Sequence, residues 1–185
     1  MNISSKALWI TRTAILIALL IMWQMLAGAM TGNTQLIVGS GVNLILAIAV
    51  MTSGIWSGST VAMVSPVFAR FLGIGPPFWV IIPFIMVGNL AFVIIWHKMG
   101  NAKIGSKPIF AYVIAAFCAA LAKYLILFFG IVHVAIPMFL EVAPPQAAAI
   151  ATVFGVPQFI TAAIGGGIAC VMLPLLRNAL SKGKE

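Results

Sequence analysis

The stretch that most constrains this chain is the apolar run from residue 108 to residue 132, PIFAYVIAAFCAALAKYLILFFGIV, which contains one formal charge, Lys123. A membrane-spanning helix needs about 20 mostly apolar residues, so this run is long enough to cross a bilayer. A lysine inside such a helix costs about 2.5–3.5 kcal/mol on insertion scales. A chain that keeps this cost normally uses the charge for a partner, an ion or a substrate. The run therefore predicts a membrane helix with a functional cation at Lys123.

The composition of the whole chain agrees with a membrane protein. Of its 185 residues, 63% are hydrophobic and 6% are charged, and the mean hydropathy is +1.20. Soluble domains carry about 25% charged residues, so no soluble domain is expected. The net charge of +8 does not indicate nucleic-acid binding, because the basic residues lie between apolar runs, where topology determinants are found.

Six apolar runs predict the fold class, an all-α integral membrane protein with six transmembrane helices in a single domain that covers residues 1–185. The runs cover about 7–30, 35–53, 57–72, 77–97, 108–132 and 153–176. The first run resembles a signal peptide in its basic start and small-residue end. It is nevertheless long enough to span a bilayer, so we expect a retained helix.

The positions of the basic residues predict the orientation of the chain. With a cytoplasmic N-terminus, the cytoplasmic segments carry eight of the ten basic residues and the external loops carry none. The eight are Lys6, Arg12, Lys98, Lys103, Lys107, Arg177, Lys182 and Lys184. This distribution follows the positive-inside rule. It predicts that both termini are cytoplasmic, in the plasma membrane of a prokaryote.

Polar side chains within the helices define the candidate site. Counted from the external end of each helix, they lie mostly in the outer half, where they could line one cavity open to the outside. The five main candidates are Asn43, Arg70, Asn89, Lys123 and Gln158, with Thr60, Ser65, Trp79, Tyr124 and Thr161 as further hydrogen-bonding groups and aromatic walls. Two alternatives stay open. The amides can bridge helices, at about 0.6 kcal/mol per hydrogen bond, and Arg70 can snorkel to the outer interface.

No carboxylate in an apolar run is available to pair with Lys123, because the two acids are Glu141, in an external loop, and Glu185, the last residue. A buried cation without a protein counter-ion indicates an anionic ligand or a water pocket lined by carbonyl groups. It argues against a carrier coupled to protons or sodium, which usually needs intramembrane acids. It also makes a cationic ligand such as thiamine a poor match.

The sequence contains no constellation that supports catalysis, metal binding or ATP hydrolysis. It has no GxSxG, HExxH or Walker A motif. Cys118 and Cys170 lie in apolar runs without CxxC spacing, and His97 and His133 are far apart. We therefore expect no enzymatic activity, no cofactor and no metal. Active transport would need energy from another subunit.

The motif Ala14-x-x-x-Ala18 places two small residues on one face of the first helix, which on its own favours packing against another helix of the chain. With this motif, a six-helix chain of this size resembles the substrate-binding S-components of energy-coupling factor (ECF) transporters. The similar segments are GSGVNLILAIAV (39–50), SGSTVAMVSPVFARFLG (57–73), PFIMVGNLAFVII (83–95), AALAKYLIL (119–127) and VPQFITAAIGGGIA (156–169).

The resemblance implies a mechanism and partners. The chain would capture a vitamin from outside in a pocket gated by loop 30–36 and part of 133–152, and deliver it by toppling in the membrane. Its partners would be a membrane coupling protein of the EcfT type and two cytoplasmic ATPases of the EcfA and EcfA' types. The docking face for the coupling protein would fall on Ala14 and Ala18.

The substrate stays open among several vitamins. Lys123 with Arg70 and amide donors suits a carboxylate vitamin, with pantothenate as the leading candidate and folate, biotin and nicotinate as alternatives. Cobalamin is the main competitor, because its amide arms suit amide-lined walls. Two functions from other classes also stay open: a passive channel or small-solute facilitator, and a scaffold or membrane-enzyme subunit.

Overall fold

The structure is a computed structural model that describes residues 3–30, 34–104 and 108–182. Within these ranges every regular element is helical, and no strand is present. The elements are α1 (Ile3–Gly28), α2 (Thr34–Phe71), a 3-10 turn (Trp79–Ile81), α3 (Ile82–Gly100), α4 (Pro108–Leu127), a π-helical segment (Phe128–Ala135), α5 (Ile136–Phe139), α6 (Pro144–Val153) and α7 (Val156–Lys182). The predicted all-α class is confirmed.

Five helical segments of the described chain are long and apolar enough to cross a membrane. They are Lys6–Gly28, Thr34–Phe71, Trp79–Gly100, Pro108–Phe139 and Pro144–Ala179. This is the helical architecture of a multi-pass membrane protein.

Several element boundaries differ from those predicted. The second and third predicted runs fall in one helical element, α2, and the fifth run continues past Leu127 as a π-helical segment. The connection 133–152, predicted without a helix, contains α5 and most of α6. Residues 31–33 of the predicted gating loop, and Lys107 and Lys184, lie outside the described residues.

Gly54 interrupts α2 and reverses the direction of the chain. Its backbone has φ 87° and ψ 174°, a conformation that glycine adopts at little cost. In a straight helix, residues 50 and 58 would lie about 12 Å apart. Here a Cβ placed on Gly58 would lie 2.7 Å from the Val50 Cβ and 3.0 Å from its Cα. The two halves of α2 therefore fold back and pack against each other.

A second glycine allows α7 to approach the first half of α2 closely. A Cβ placed on Gly165 would lie 2.3 Å from the carbonyl oxygen of Ser40 and 2.8 Å from the Cβ of Asn43. Small residues at helix contacts are typical of membrane bundles, where packing replaces the hydrophobic driving force. This contact fixes the position of Asn43, which is fully buried.

The main apolar core occupies the part of the bundle that contains the N-terminal end of α4 and the C-terminal ends of α3 and α7. Its largest buried side chains include Phe92, Trp96, Tyr112 and Leu173. The first three form an aromatic column, with ring centroids 6.3 Å and 6.2 Å apart. Arg177 closes the far end of the column, with its guanidinium carbon 5.6 Å from the centre of the Tyr112 ring.

Candidate functional site

The opposite end of the bundle contains a cavity of about 610 Å³, which we call the polar cavity. It lies at the end of the bundle away from the two ends of the chain, since it is lined by the C-terminal part of α1 and the N-terminal part of α7. The lining residues used below are Gln24, Gln35, Asn43, Ser65, Asn89, Lys123, Gln146, Ala149, Ile150, Val153, Gln158 and Thr161. Ligand sites in proteins commonly have volumes of about 300–1,000 Å³, so the cavity has the size of a small-molecule site.

Lys123 lies in the wall of the polar cavity, near the C-terminal end of α4, and is 4% exposed. Its Nζ donates a hydrogen bond to Asn43 Oδ1 at 2.7 Å and lies 5.8 Å from the centre of the Phe92 ring. Asn43 Nδ2 in turn donates to the carbonyl oxygen of Gly39 at 2.8 Å. This second bond orients the Asn43 oxygen toward the ammonium group.

The environment of Lys123 contains an amide dipole and an aromatic face, but no carboxylate. Glu141 is exposed in the connection before α6 and does not line the cavity, and Glu185 lies outside the described residues. An ammonium group has three N–H donors, and the described side chains accept from it through Asn43 alone. The polar cavity is therefore electropositive, with donor capacity left for an anion or another acceptor.

Two further buried amides line the same cavity. Asn89 and Gln24 are 2% and 3% exposed. Asn89 Nδ2 donates to the carbonyl oxygen of Ala62 at 3.3 Å, and Gln24 Nε2 donates to Ser65 Oγ at 3.4 Å. The side-chain oxygens of both amides are buried and have no hydrogen-bond partner among the described residues. Leaving a buried acceptor unpaired costs about 1–3 kcal/mol, so these oxygens are available for a donor.

The short helix α6 covers the cavity. Gln146, Ala149, Ile150 and Val153 line it, at the i, i+3, i+4, i+7 spacing of a single helix face. None of the residues of α6 is buried. The carbonyl oxygen of Val153 accepts hydrogen bonds from Gln35 Nε2 at 2.9 Å and from Gln158 Nε2 at 3.2 Å. The α6 helix is thus attached to α2 and α7 through its C-terminal end.

The structure brings five of the predicted polar residues to the cavity: Lys123, Asn43, Asn89, Gln158 and Thr161, together with Ser65 from the wider predicted set. Thr161 is buried, and its hydroxyl donates to the carbonyl oxygen of Gln158 at 3.1 Å. These residues come from α2, α3, α4 and α7, so the prediction that polar groups from separate helices meet at one level agrees with the geometry.

Arg70 and Trp79 do not line the cavity, contrary to the sequence-based expectation. The Arg70 guanidinium carbon lies 5.3 Å from the centre of the Trp79 ring, and Trp79 is 51% exposed. The cause is helical rotation, because Ala69 lines the cavity and the next residue of a helix points about 100° away. Arg70 instead joins an outward-facing aromatic group in which the Phe71 and Trp79 rings lie 5.4 Å apart.

Tyr124 and Thr60 are also absent from the cavity lining. Tyr124 follows Lys123, so it points to a different side of α4, where its ring lies 5.7 Å from that of Phe128 and 6.4 Å from that of Phe159. The Thr60 hydroxyl donates to the carbonyl oxygen of Trp56 within its own helix at 2.9 Å. Depth along a helix was predictable from the sequence, but the direction of these side chains was not.

Sequence analysis missed Gln24, Gln35 and Gln146 as cavity residues. The signal for Gln24 was present, because it is an amide inside the first apolar run, as Asn89 is inside the fourth. Gln35 and Gln146 lie beside the predicted turns and have no such signal. Comparisons of the chain with protein-family models, with curated proteins and with solved structures found no match.

Ala14 and Ala18 lie on the exposed face of α1, whereas Thr13, Leu16 and Leu20 form its buried face. The two alanines therefore do not pack inside the described chain, and the interpretation that they serve contacts within the protein is wrong. The fold and the site together define a class: a helical multi-pass membrane protein with one polar, cation-containing cavity at the end of its bundle.

Proposed function

We propose that the protein is the substrate-binding S-component of an ECF-type importer, which captures a carboxylate vitamin, with pantothenate as the first candidate. The observation that carries the proposal is the buried Lys123, which lines a ligand-sized cavity and has an amide but no carboxylate as its protein partner. A carboxylate bound there would receive a charge-assisted hydrogen bond, which is roughly twice as strong as a neutral one.

The proposed topology has six membrane crossings with both termini in the cytoplasm. A straight helix of 38 residues would be about 57 Å long, whereas the hydrocarbon core is about 30 Å thick. The reversal at Gly54 supports two crossings within α2. The basic positions within the described ranges support the orientation, since Lys6, Lys98 and Arg177 all lie toward the end of the bundle opposite the polar cavity.

The proposed delivery requires partners, because the sequence has no ATP-binding motif. We assign this role to a membrane coupling protein of the EcfT type and two cytoplasmic ATPases of the EcfA and EcfA' types. The exposure of Ala14 and Ala18 on α1 supports a docking face there, since small residues let a partner helix approach closely.

The cavity volume bears on the choice of vitamin. About 610 Å³ suits a compact ligand such as pantothenate, whereas the corrin ring and amide arms of cobalamin demand more space. A passive channel is the weaker alternative, because the aromatic column of Phe92, Trp96 and Tyr112 fills the bundle beyond Lys123.

The proposal is tested by uptake and co-purification. Cells that express the chain together with a coupling protein and two ATPases should take up labelled pantothenate, and the four proteins should purify together. Vesicles that contain the chain alone should show no flux. Equilibration of the vitamin by the chain alone would identify a facilitator and overturn the proposal.

A further inference from the structure

The polar cavity contains two kinds of unused hydrogen-bonding capacity on different helices. The Lys123 ammonium, on α4, has donors to spare, and the amide oxygens of Asn89 and Gln24, on α3 and α1, have no partner. An anion by itself would satisfy the donors but would leave both acceptors unpaired. The occupant that satisfies all of these groups therefore has both acceptors and donors.

The orientation of the Asn89 amide is fixed by chemistry. Its nitrogen faces the carbonyl oxygen of Ala62 at 3.3 Å, and a carbonyl oxygen only accepts hydrogen bonds. Rotating the amide by 180° would place two acceptors against each other. The Asn89 oxygen must therefore remain the unpaired atom, and it accepts only from a group outside the described side chains and backbone.

Gln24 provides a second acceptor with a different anchor. Its nitrogen contacts the Ser65 hydroxyl at 3.4 Å, a partner that can donate as well as accept. The two amides are both more than nine-tenths buried, so neither is an exposed group that bulk water would satisfy. Together with Lys123 they give the cavity one cationic donor and two neutral acceptors.

We propose that this site selects a carboxylate that also carries hydroxyl or amide N–H donors, with Asn89 and Gln24 accepting from those donors while Lys123 binds the carboxylate. This inference rests on the proposed capture function and narrows its substrate class. Pantothenate has a carboxylate, two hydroxyl groups and an amide N–H, and biotin has a carboxylate and two ureido N–H groups. Nicotinate and hexanoate have a carboxylate and no such donor.

The test measures the affinity of the purified full chain in detergent for these four probes by titration calorimetry. We expect pantothenate or biotin to bind at least tenfold more tightly than nicotinate and hexanoate, because a site built to pair with polar groups discriminates against a ligand that leaves them unpaired. Equal affinity for the donor-bearing and donor-free probes would overturn the donor rule while the capture function stands. Failure of all four probes to bind would overturn both.

The residues are assigned with the tighter of the two donor-bearing probes. Gln24→Met keeps the length of the side chain and removes the acceptor, and Asn89→Leu does the same at the second position. Each should weaken binding of that probe by about tenfold or more and leave the weak binding of hexanoate unchanged. Elution as a monodisperse peak and the melting temperature verify folding. If Asn89→Leu does not fold, Gln24→Met alone decides, and an equal loss for hexanoate would contradict the assignment.

Discussion

Replacing Lys123 with methionine separates a functional lysine from a structural one. The change keeps an unbranched apolar chain and removes the ammonium group that lines the polar cavity. If the ammonium binds the vitamin carboxylate, its removal should cost about 2–5 kcal/mol of binding free energy, which corresponds to a loss in affinity of roughly 30-fold or more. Titration calorimetry of the purified protein with pantothenate measures this loss.

The same substitution has an opposite effect on the ligand-free protein. Lysine in a spanning helix costs about 2.5–3.5 kcal/mol, while a hydrogen bond between membrane helices contributes about 0.6 kcal/mol. The bond from Lys123 to Asn43 therefore returns only a small part of the cost. The remainder is reduced by up to about 1–3 kcal/mol if the Asn43 oxygen is left unpaired. We expect the melting temperature of ligand-free Lys123→Met to equal or exceed that of the wild type.

Two results would refute this reasoning. Unchanged affinity would remove Lys123 from the site, and a marked fall in melting temperature without ligand would make its main role structural. Lys98→Met is the matched control, because Lys98 is an exposed lysine near the C-terminal end of α3. This variant should keep the affinity of the wild type.

Four further substitutions test the fold and the surfaces. Ala18→Trp should leave vitamin binding unchanged and abolish uptake by the complete transporter, and loss of binding would contradict the exposed position of this residue. Gly54→Ala should lower the melting temperature, since it forces a non-glycine residue to a positive φ at a cost of about 1–2 kcal/mol. Arg70→Met should bind the vitamin with unchanged affinity, because Arg70 lies outside the cavity, and a tenfold loss would return it to the site. Gly165→Ala should lower both stability and affinity by displacing α2, whereas Gly167→Ala, with open space at its Cβ, should change neither.

The sequence predicted the levels of the polar groups well, because apolar runs locate the helices and counting along a run gives depth. Asn43, Asn89 and Lys123 were placed together on this basis, and the structure brings them to one cavity. Direction around the helix axis was less accessible. The moments of these helices are weak, since lipid-facing and core-facing residues are both apolar. Arg70 and Tyr124 were misplaced for this reason.

The reversal within α2 was recognisable as two runs, but its mechanism depended on backbone conformation that only the structure gives. The spacing Gly54-x-x-x-Gly58 suggested a helix-packing motif. In the structure the two glycines have separate roles, since Gly54 turns the chain and Gly58 provides the close contact with Val50. The α6 helix was missed because its sequence, PPQAAAIATV, has no clear apolar periodicity and follows two prolines.

The polar cavity imposes a stability cost that the rest of the bundle must offset. A lysine without a carboxylate and two unpaired amide oxygens are each unfavourable in a protein interior. The opposite end of the bundle supplies compensating contacts, in which Arg177 donates to the carbonyl oxygen of Met51 at 3.4 Å and to Asn101 Oδ1 at 3.0 Å and closes the aromatic column. A ligand that pairs with the cavity groups would remove the cost, and stabilisation by a bound ligand grows with its concentration relative to Kd. Strong thermal stabilisation by the true substrate is therefore a direct consequence of this arrangement.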